Sequence, residues 1–212
     1  HPSWIFFSEG FRLTGVAQSS KRALDLFVGL TIFLLAWPLM LLVALAIRIE
    51  SGAGAPILFH QVRVGLNGKT FRVHKFRSMR TDAEADGVAR WACKDDSRVT
   101  RVGNFIRKAR LDELPQVFNV LRGEMSLVGP RPERPEFVEQ LEQELPFYAE
   151  RHRVKPGLTG WAQLSYPYGA TIEDARNKLE FDLYYVKNAS AFLDLIILLE
   201  TVEVVLWRKG AH

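Results

Sequence analysis

Between Leu26 and Ile47 the chain carries no charged residue, and Pro38 stands near the middle of that run. Such a run is about long enough to cross a hydrocarbon core of roughly 30 Å. Its apolar residues occur on every side of a helix rather than on one stripe, which points to lipid or to a deep core. A soluble domain of 212 residues rarely buries a helix on all sides. Pro38 has no N–H and its ring crowds the preceding turn, so it supplies a place to break. A simple spanning helix has one flank richer in Lys and Arg. Here Lys21 and Arg22 precede the run, and Arg48, Arg63, Lys69 and Arg72 follow it. Two readings stay open on these residues: a plain crossing with poor charge asymmetry, or a helix that enters, breaks at Trp37–Pro38 and returns to the same face.

The rest of the composition narrows the partners. Lys plus Arg exceed Asp plus Glu by 28 to 24. This mild excess suits an anionic substrate or lipid headgroup. It is too small and dispersed for nucleic acid, and no nucleic-acid-binding motif is present. The single Cys93 excludes an intrachain disulfide and fits a reduced, cytosol-facing compartment. Residues 1–20 read as a linker from a missing N-terminal part, because no basic segment leads into an early apolar core as in a signal peptide.

After the apolar run, two β-rich stretches flank Asn67–Gly68, a hairpin signal. Period-two spacing puts Lys75 and Arg77 on one face of the second strand. Residues 81–97 are polar and acidic and read as a loop. Val102, Phe105, Ile106 and Ala109 mark one helix face, and a new helix is expected to begin at Asp112, with Glu113 in its first turn and Pro115 early. "GPRPERP" is too rich in proline for regular structure. Residues 133–150 read as helix. Thr171 and Asp174 form a capping-box pattern that opens another. Ser190 caps a last helix, which mixes acids with a wide apolar face and ends at Trp207–Lys209 as an interfacial anchor would.

The adjacent carboxylates Asp112 and Glu113 are the strongest candidates for chemistry. Such a pair at a helix start is most often only a good N-terminus. Around it, however, stand Arg107, Lys108, Arg110, Arg131 and Arg134. Cations gathered near a carboxylate pair suit a phosphate site, and two carboxylates suffice to hold Mg²⁺ beside phosphate oxygens. P-loop, dinucleotide-binding, serine-hydrolase and His-metal patterns are all missing.

"KRALDL" leading into the proline-broken run, then "KFRSM", "RKARLDELPQ", "VGPRPE", "KPGLTGWAQ" and "DLYYVKN", resemble in content and order the monotopic phosphoglycosyl transferases, of the exopolysaccharide-initiating type. The resemblance runs from Lys21 to Lys209 and implies the catalytic part of a longer member. It implies an α+β monotopic membrane protein with a re-entrant helix over 21–49, broken at Pro38. A catalytic domain over 50–212 would follow on the cytoplasmic face of the bacterial inner membrane, with a β-hairpin and amphipathic interfacial helices. The implied reaction moves a sugar-1-phosphate from a UDP-sugar to undecaprenyl phosphate and releases UMP, the first membrane step of exopolysaccharide or glycoconjugate assembly.

In that family the aspartate of the pair is the nucleophile, which here is Asp112. Glu113 helps hold Mg²⁺ with Asp112, and Arg107 matches a basic position that faces the transferring phosphate. Lys75, Arg77 and the Pro130–Arg131–Pro132 loop match other motifs around the site. Asp182 and Tyr184 match a C-terminal motif with a structural reading. Membrane lipids and a homodimer are the remaining partners the resemblance admits. The rivals are a phosphotransferase of the same design with another nucleotide or lipid, and a membrane-anchored scaffold in which the pair only caps a helix. No motif names the sugar.

Overall fold

Helix α1 (Gly15–Ser51, 37 residues) dominates one side of the molecule. The computed structural model describes residues 15–52, 54–83, 96–166, 169 and 171–207. The helix starts at Gly15, so residues 15–20, expected as linker, are helical. It also runs unbroken through Pro38, where a break was expected. A proline removes one backbone donor, and an apolar segment has every reason to keep its remaining hydrogen bonds closed.

The all-round apolarity of α1 has two separate causes. Lys21, Asp25, Gly29, Val43 and Ile47 are buried and lie on one stripe. Phe33 packs edge-on against Phe118, with ring centroids 5.3 Å apart, and Met40 and Ala44 lie against a core cluster. This stripe touches the rest of the protein over about 39 Å, at 1.5 Å per residue. The opposite face leaves Phe27, Leu30, Leu34, Leu41, Leu45 and Ile49 exposed. By length and composition the segment Gln18–Ser51 is apolar enough to cross a membrane.

The expected hairpin forms from β1 (Leu58–Val64) and β2 (Thr70–Phe76), antiparallel with Val64 opposite Thr70. Asn67 and Gly68 both take positive φ, 54° and 75°, as a primed turn demands. Helix α2 (Arg101–Lys108) follows, with Thr100 Oγ1 accepting from the Gly103 amide. It buries Gly103 and Ile106, while Phe105, expected on the same core face, is 67% exposed.

The helix expected to start at Asp112 does not start there. Arg110 turns left-handed (φ 57°), and Leu111–Gln116 form a 3₁₀ turn before α3 (Val117–Arg122) begins. Asp112 and Glu113 therefore sit inside a tight turn and cap no α-helix. Pro115 lies within the turn and has no N–H to offer an α-helical ladder.

The structure adds a short parallel pair, β3 (Ser126–Val128) and β4 (Gly157–Thr159), that sequence reasoning missed. Between them run the irregular Gly129–Arg134 segment, α4 (Pro135–Glu144) and a 3₁₀ turn over Tyr148–Arg153, where one helix over 133–150 was expected. Helix α5 (Trp161–Ser165) leads to α6 (Ile172–Asn188), which opens on the expected reciprocal Thr171–Asp174 capping box. Helix α7 (Ala191–Trp207) begins with Ser190 Oγ accepting from the Leu193 amide at 3.2 Å. The anchor reading of Trp207–Lys209 and most of the 81–97 loop fall outside the described residues.

The main core joins Val73, Val120, Met125, Leu127, Val128, Tyr185 and Ile197, with Val28 and Ile32 of α1 against it. A second cluster packs α4 against α6, and a third packs Val43 and Ile47 against Phe76 and Ile106. At the N-terminal end of α1, the three ammonium protons of Lys21 are all used. They reach Asp194 Oδ2 (2.5 Å), the Tyr185 hydroxyl (2.9 Å) and the Val128 carbonyl (3.0 Å). Arg22 donates to the carbonyls of Val120 and Leu121 at the end of α3. The two cations read as a membrane flank are thus internal ties.

Candidate active site

The site is assembled where β2, the 3₁₀ turn and the loop after β3 meet. Gly103 lets α2 press against the end of the hairpin, since any Cβ there would overlap the Ser78 carbonyl. The turn that follows α2 is thereby fixed beside β2. Lys75 reaches across from that strand and donates to Glu113 Oε1 at 3.0 Å. Arg131 Nη2 donates to the same oxygen at 2.6 Å.

The loop carrying Arg131 is held at three consecutive carbonyls. The Gly157 amide donates to Pro130 O (3.0 Å), Arg151 Nη2 to Arg131 O (2.9 Å) and Arg63 Nη1 to Pro132 O (3.0 Å). A Cβ on Gly157 would overlap the Gly129 amide, so glycine is needed for this close approach. Arg151 is itself held by Asp182 Oδ2, through Nε at 3.0 Å and Nη2 at 2.7 Å, and by the Tyr148 hydroxyl at 3.0 Å. Both members of the Arg151–Asp182 pair are buried. Asp182 therefore braces the loop from behind, two shells from the carboxylates.

The adjacent acids end up in different electrostatic states. Burial alone would raise the Glu113 pKa, but Arg131 and Lys75 outweigh it and hold the carboxyl well below its usual range. Asp112 goes the other way. Burial and then the Glu113 charge push its pKa up, against the pull of Lys75 and Arg107. Among the described residues Asp112 makes no ion pair. Arg107, in the last turn of α2, makes none either and adds positive potential at Asp112.

The structure thus brings Lys75, Arg107, Asp112, Glu113, Pro130, Arg131 and Pro132 to one place. It does not bring Arg77 there: the guanidinium donates to the carbonyls of Pro56 (2.6 Å) and Met79 (3.3 Å) and ties down the hairpin's exit. Pro38 lies on the exposed side of α1. Tyr184 is half exposed and stacks loosely on Trp161. Sequence reasoning missed Arg63 and Arg151 as site residues: Arg63 was counted only as a flank of the apolar run, and Arg151 sits in a basic stretch with nothing local to single it out.

The donor set fits a hard divalent cation that is shared with a phosphate. Both cation contacts of Glu113 land on Oε1, and among the described residues neither Oε2 nor the Asp112 carboxylate enters an ion pair. Among the described residues no group of three His, Cys, Asp or Glu converges. Mg²⁺ needs no such cage, because it takes one or two carboxylates and fills the rest with water and substrate phosphates.

Comparison with known proteins bears on the family of the chain. A family model described as bacterial sugar transferase matches residues 16–208. A UDP-N-acetylgalactosamine-undecaprenyl-phosphate N-acetylgalactosaminephosphotransferase of Aeromonas hydrophila is 49% identical over 91% of this chain and 45% of its own length. A UDP-glucose:undecaprenyl-phosphate glucose-1-phosphate transferase of Escherichia coli is 45% identical over 94% of this chain and 43% of its own length. One of the same description from Caulobacter vibrioides is 43% identical over 91% of this chain and 72% of its length. The chain thus spans less than half of the first two relatives.

Proposed function

Because this chain belongs to the bacterial sugar transferase family, we propose that it transfers a sugar-1-phosphate from a UDP-sugar to undecaprenyl phosphate, with release of UMP. The names of its relatives support that substrate pair. They differ in the sugar, N-acetylgalactosamine in one and glucose in the other, so the sugar is left to experiment.

In this reading Asp112 is the nucleophile. Its carboxylate attacks the sugar-bearing phosphorus, the bond to UMP breaks, and a phosphosugar–aspartate forms. An oxygen of the lipid phosphate then attacks that phosphorus and returns Asp112 to its carboxylate. A carboxylate needs no base to become a nucleophile, and one whose pKa is raised holds its electrons less tightly. Glu113, kept ionised by Lys75 and Arg131, provides fixed negative charge beside it. Asp112 and Glu113 would hold Mg²⁺, whose chemistry is to neutralise charge on the pyrophosphate. Arg107 and Arg131 supply further positive charge for the transferring phosphoryl group.

The apolar outer face of α1 supports a membrane placement. Its N-terminal part is tied to β3 and α7 and its C-terminal part to α2 and β2, all in one domain. A helix docked at both ends on the same body, with its outer face apolar, suits insertion into one leaflet from the cytoplasmic side better than a crossing. A site beside such a helix lets a lipid phosphate meet a soluble nucleotide.

The observation that carries the reading is the divided carboxylate pair: Glu113 neutralised by two cations and Asp112 left without an ion pair among the described residues. The test is UMP release with Mg²⁺, undecaprenyl phosphate and a panel of UDP-sugars. The wild-type chain should release UMP with at least one sugar, and Asp112→Asn should lose several orders of magnitude in turnover. Normal turnover by Asp112→Asn would refute the covalent route.

A further inference from the structure

We infer that the apolar groove between α1 and α2 seats the phosphate-proximal part of the acceptor's isoprenoid chain. The inference rests on the transfer reading above and adds where the lipid lies. The groove has a volume of about 470 Å³, in the range of roughly 300–1,000 Å³ that holds small ligands. Leu39, Leu42 and Ala46 of α1 line one side, Phe105 and Ile106 of α2 the other, and Leu111 lies at its inner end. Arg101 supplies the one charged side chain of the lining.

Three observations choose the occupant. The rim of the groove is apolar and exposed, with Leu42 of α1 at 64% and Phe105 of α2 at 67%; a water-soluble nucleotide sugar would gain nothing from such walls. Next, the groove is joined to the reactive carboxylates through the backbone itself: Leu111 precedes Asp112, and Ile106 precedes Arg107. A phosphate placed between Asp112 and Arg107 would therefore have an apolar groove wall one residue away from each contact. Finally, the charge is complementary: the lining holds no carboxylate, and Arg107 stands at the phosphate end without an ion-pair partner among the described residues. A single chain ending in a phosphate monoester satisfies all three. A two-chain phosphodiester lipid is the rival occupant that the displacement arm of the test separates.

The test uses the whole chain in lipid nanodiscs. Ala46→Phe fills the groove, and Phe105→Ser removes an exposed wall that the fold does not need. Each should raise KM for undecaprenyl phosphate by about tenfold or more, the equivalent of about 1.4 kcal/mol. KM for the UDP-sugar should stay the same. In parallel, a benzophenone-bearing prenyl phosphate should label peptides within residues 39–46 and 101–111. Undecaprenyl phosphate should displace it and phosphatidylglycerol should not. Unchanged KM for the lipid in both variants, an equal rise for both substrates, labelling elsewhere, or equal displacement by phosphatidylglycerol would each overturn the assignment. A wild-type chain that releases no UMP would sink the transfer reading instead, and the photolabel would still decide the groove.

Discussion

Replacing Lys21 by Met separates two accounts of the same residue. As a flanking cation at a membrane surface, Lys21 would contribute little, and its loss would change stability by about 0.5 kcal/mol or less. The structure places it 6% exposed against Asp194, which is 1% exposed. Burial raises the Asp194 pKa, against the pull of Lys21 and the Tyr185 hydroxyl that donates to Oδ1 at 2.7 Å. Removing the ammonium leaves that carboxylate buried without its counter-ion, which costs about 3–5 kcal/mol. For a chain of this size that is a fall of roughly 6–20 °C in Tm.

The double variant Lys21→Met/Asp194→Leu removes the stranded charge as well and should recover most of the loss. What remains is the donor that Val128 O and Tyr185 no longer receive, about 1 kcal/mol each. The deficit of the single variant should also shrink in acid. A carboxyl whose folded pKa is raised binds its proton more readily in the folded state, so lowering the pH favours folding. Thermal melts in one detergent at matched concentration read all three proteins. A Lys21→Met loss under about 1 kcal/mol, or a double variant no more stable than Lys21→Met alone, would refute the buried brace.

Two further outcomes follow from the structure. His152 is buried, its Nε2 has no hydrogen-bond partner among the described residues, and burial and then Arg151 lower its pKa to about 4. Above about 6.5 the ring is neutral folded or unfolded; as pH falls from there toward about 4, only the unfolded chain takes the proton, and stability drops by up to about 3 kcal/mol. His152→Phe should flatten that part of the pH–stability profile, and parallel profiles would contradict the assignment. For topology, Ser19→Cys and Gly54→Cys in a Cys93→Ser background should both react with a membrane-impermeant maleimide only from the cytoplasmic side; labelling from opposite sides would show that α1 crosses.

Features encoded within a few residues were readable in the sequence. The Asn67–Gly68 hairpin and the Thr171–Asp174 box depend on neighbours, and both formed as expected. Features that depend on distant partners were not readable. The strands β3 and β4 are three residues each, too short for a period, and exist because Gly129 and Gly157 allow a close approach across the chain. The carboxylates Asp112 and Glu113 were legible as a candidate pair, but their inequality was not. It depends on Lys75 and Arg131, which lie 38 and 18 residues from Glu113. Arg77 shows the converse: strand spacing put it beside Lys75, but the chain leaves β2 just before it, and its guanidinium turns to carbonyls.

The two faces of α1 were not separable in the sequence, for a more general reason. Hydropathy records only that a surface avoids water; it does not say whether protein or lipid covers that surface. Around α1 protein covers one face and the other is left apolar and exposed, so a pattern that is apolar all round belongs to a two-sided element. The polar residues at the start of its protein-facing stripe mark the difference. Asp25 accepts from Ser126 Oγ and from the Leu127 amide at 2.9 Å, and Lys21 meets Asp194 close by. Such groups cost too much to bury without partners. A charged residue in step with an apolar run therefore marks where the run must dock on protein, and here it marks the seam that holds the apolar helix α1 against the rest of the protein.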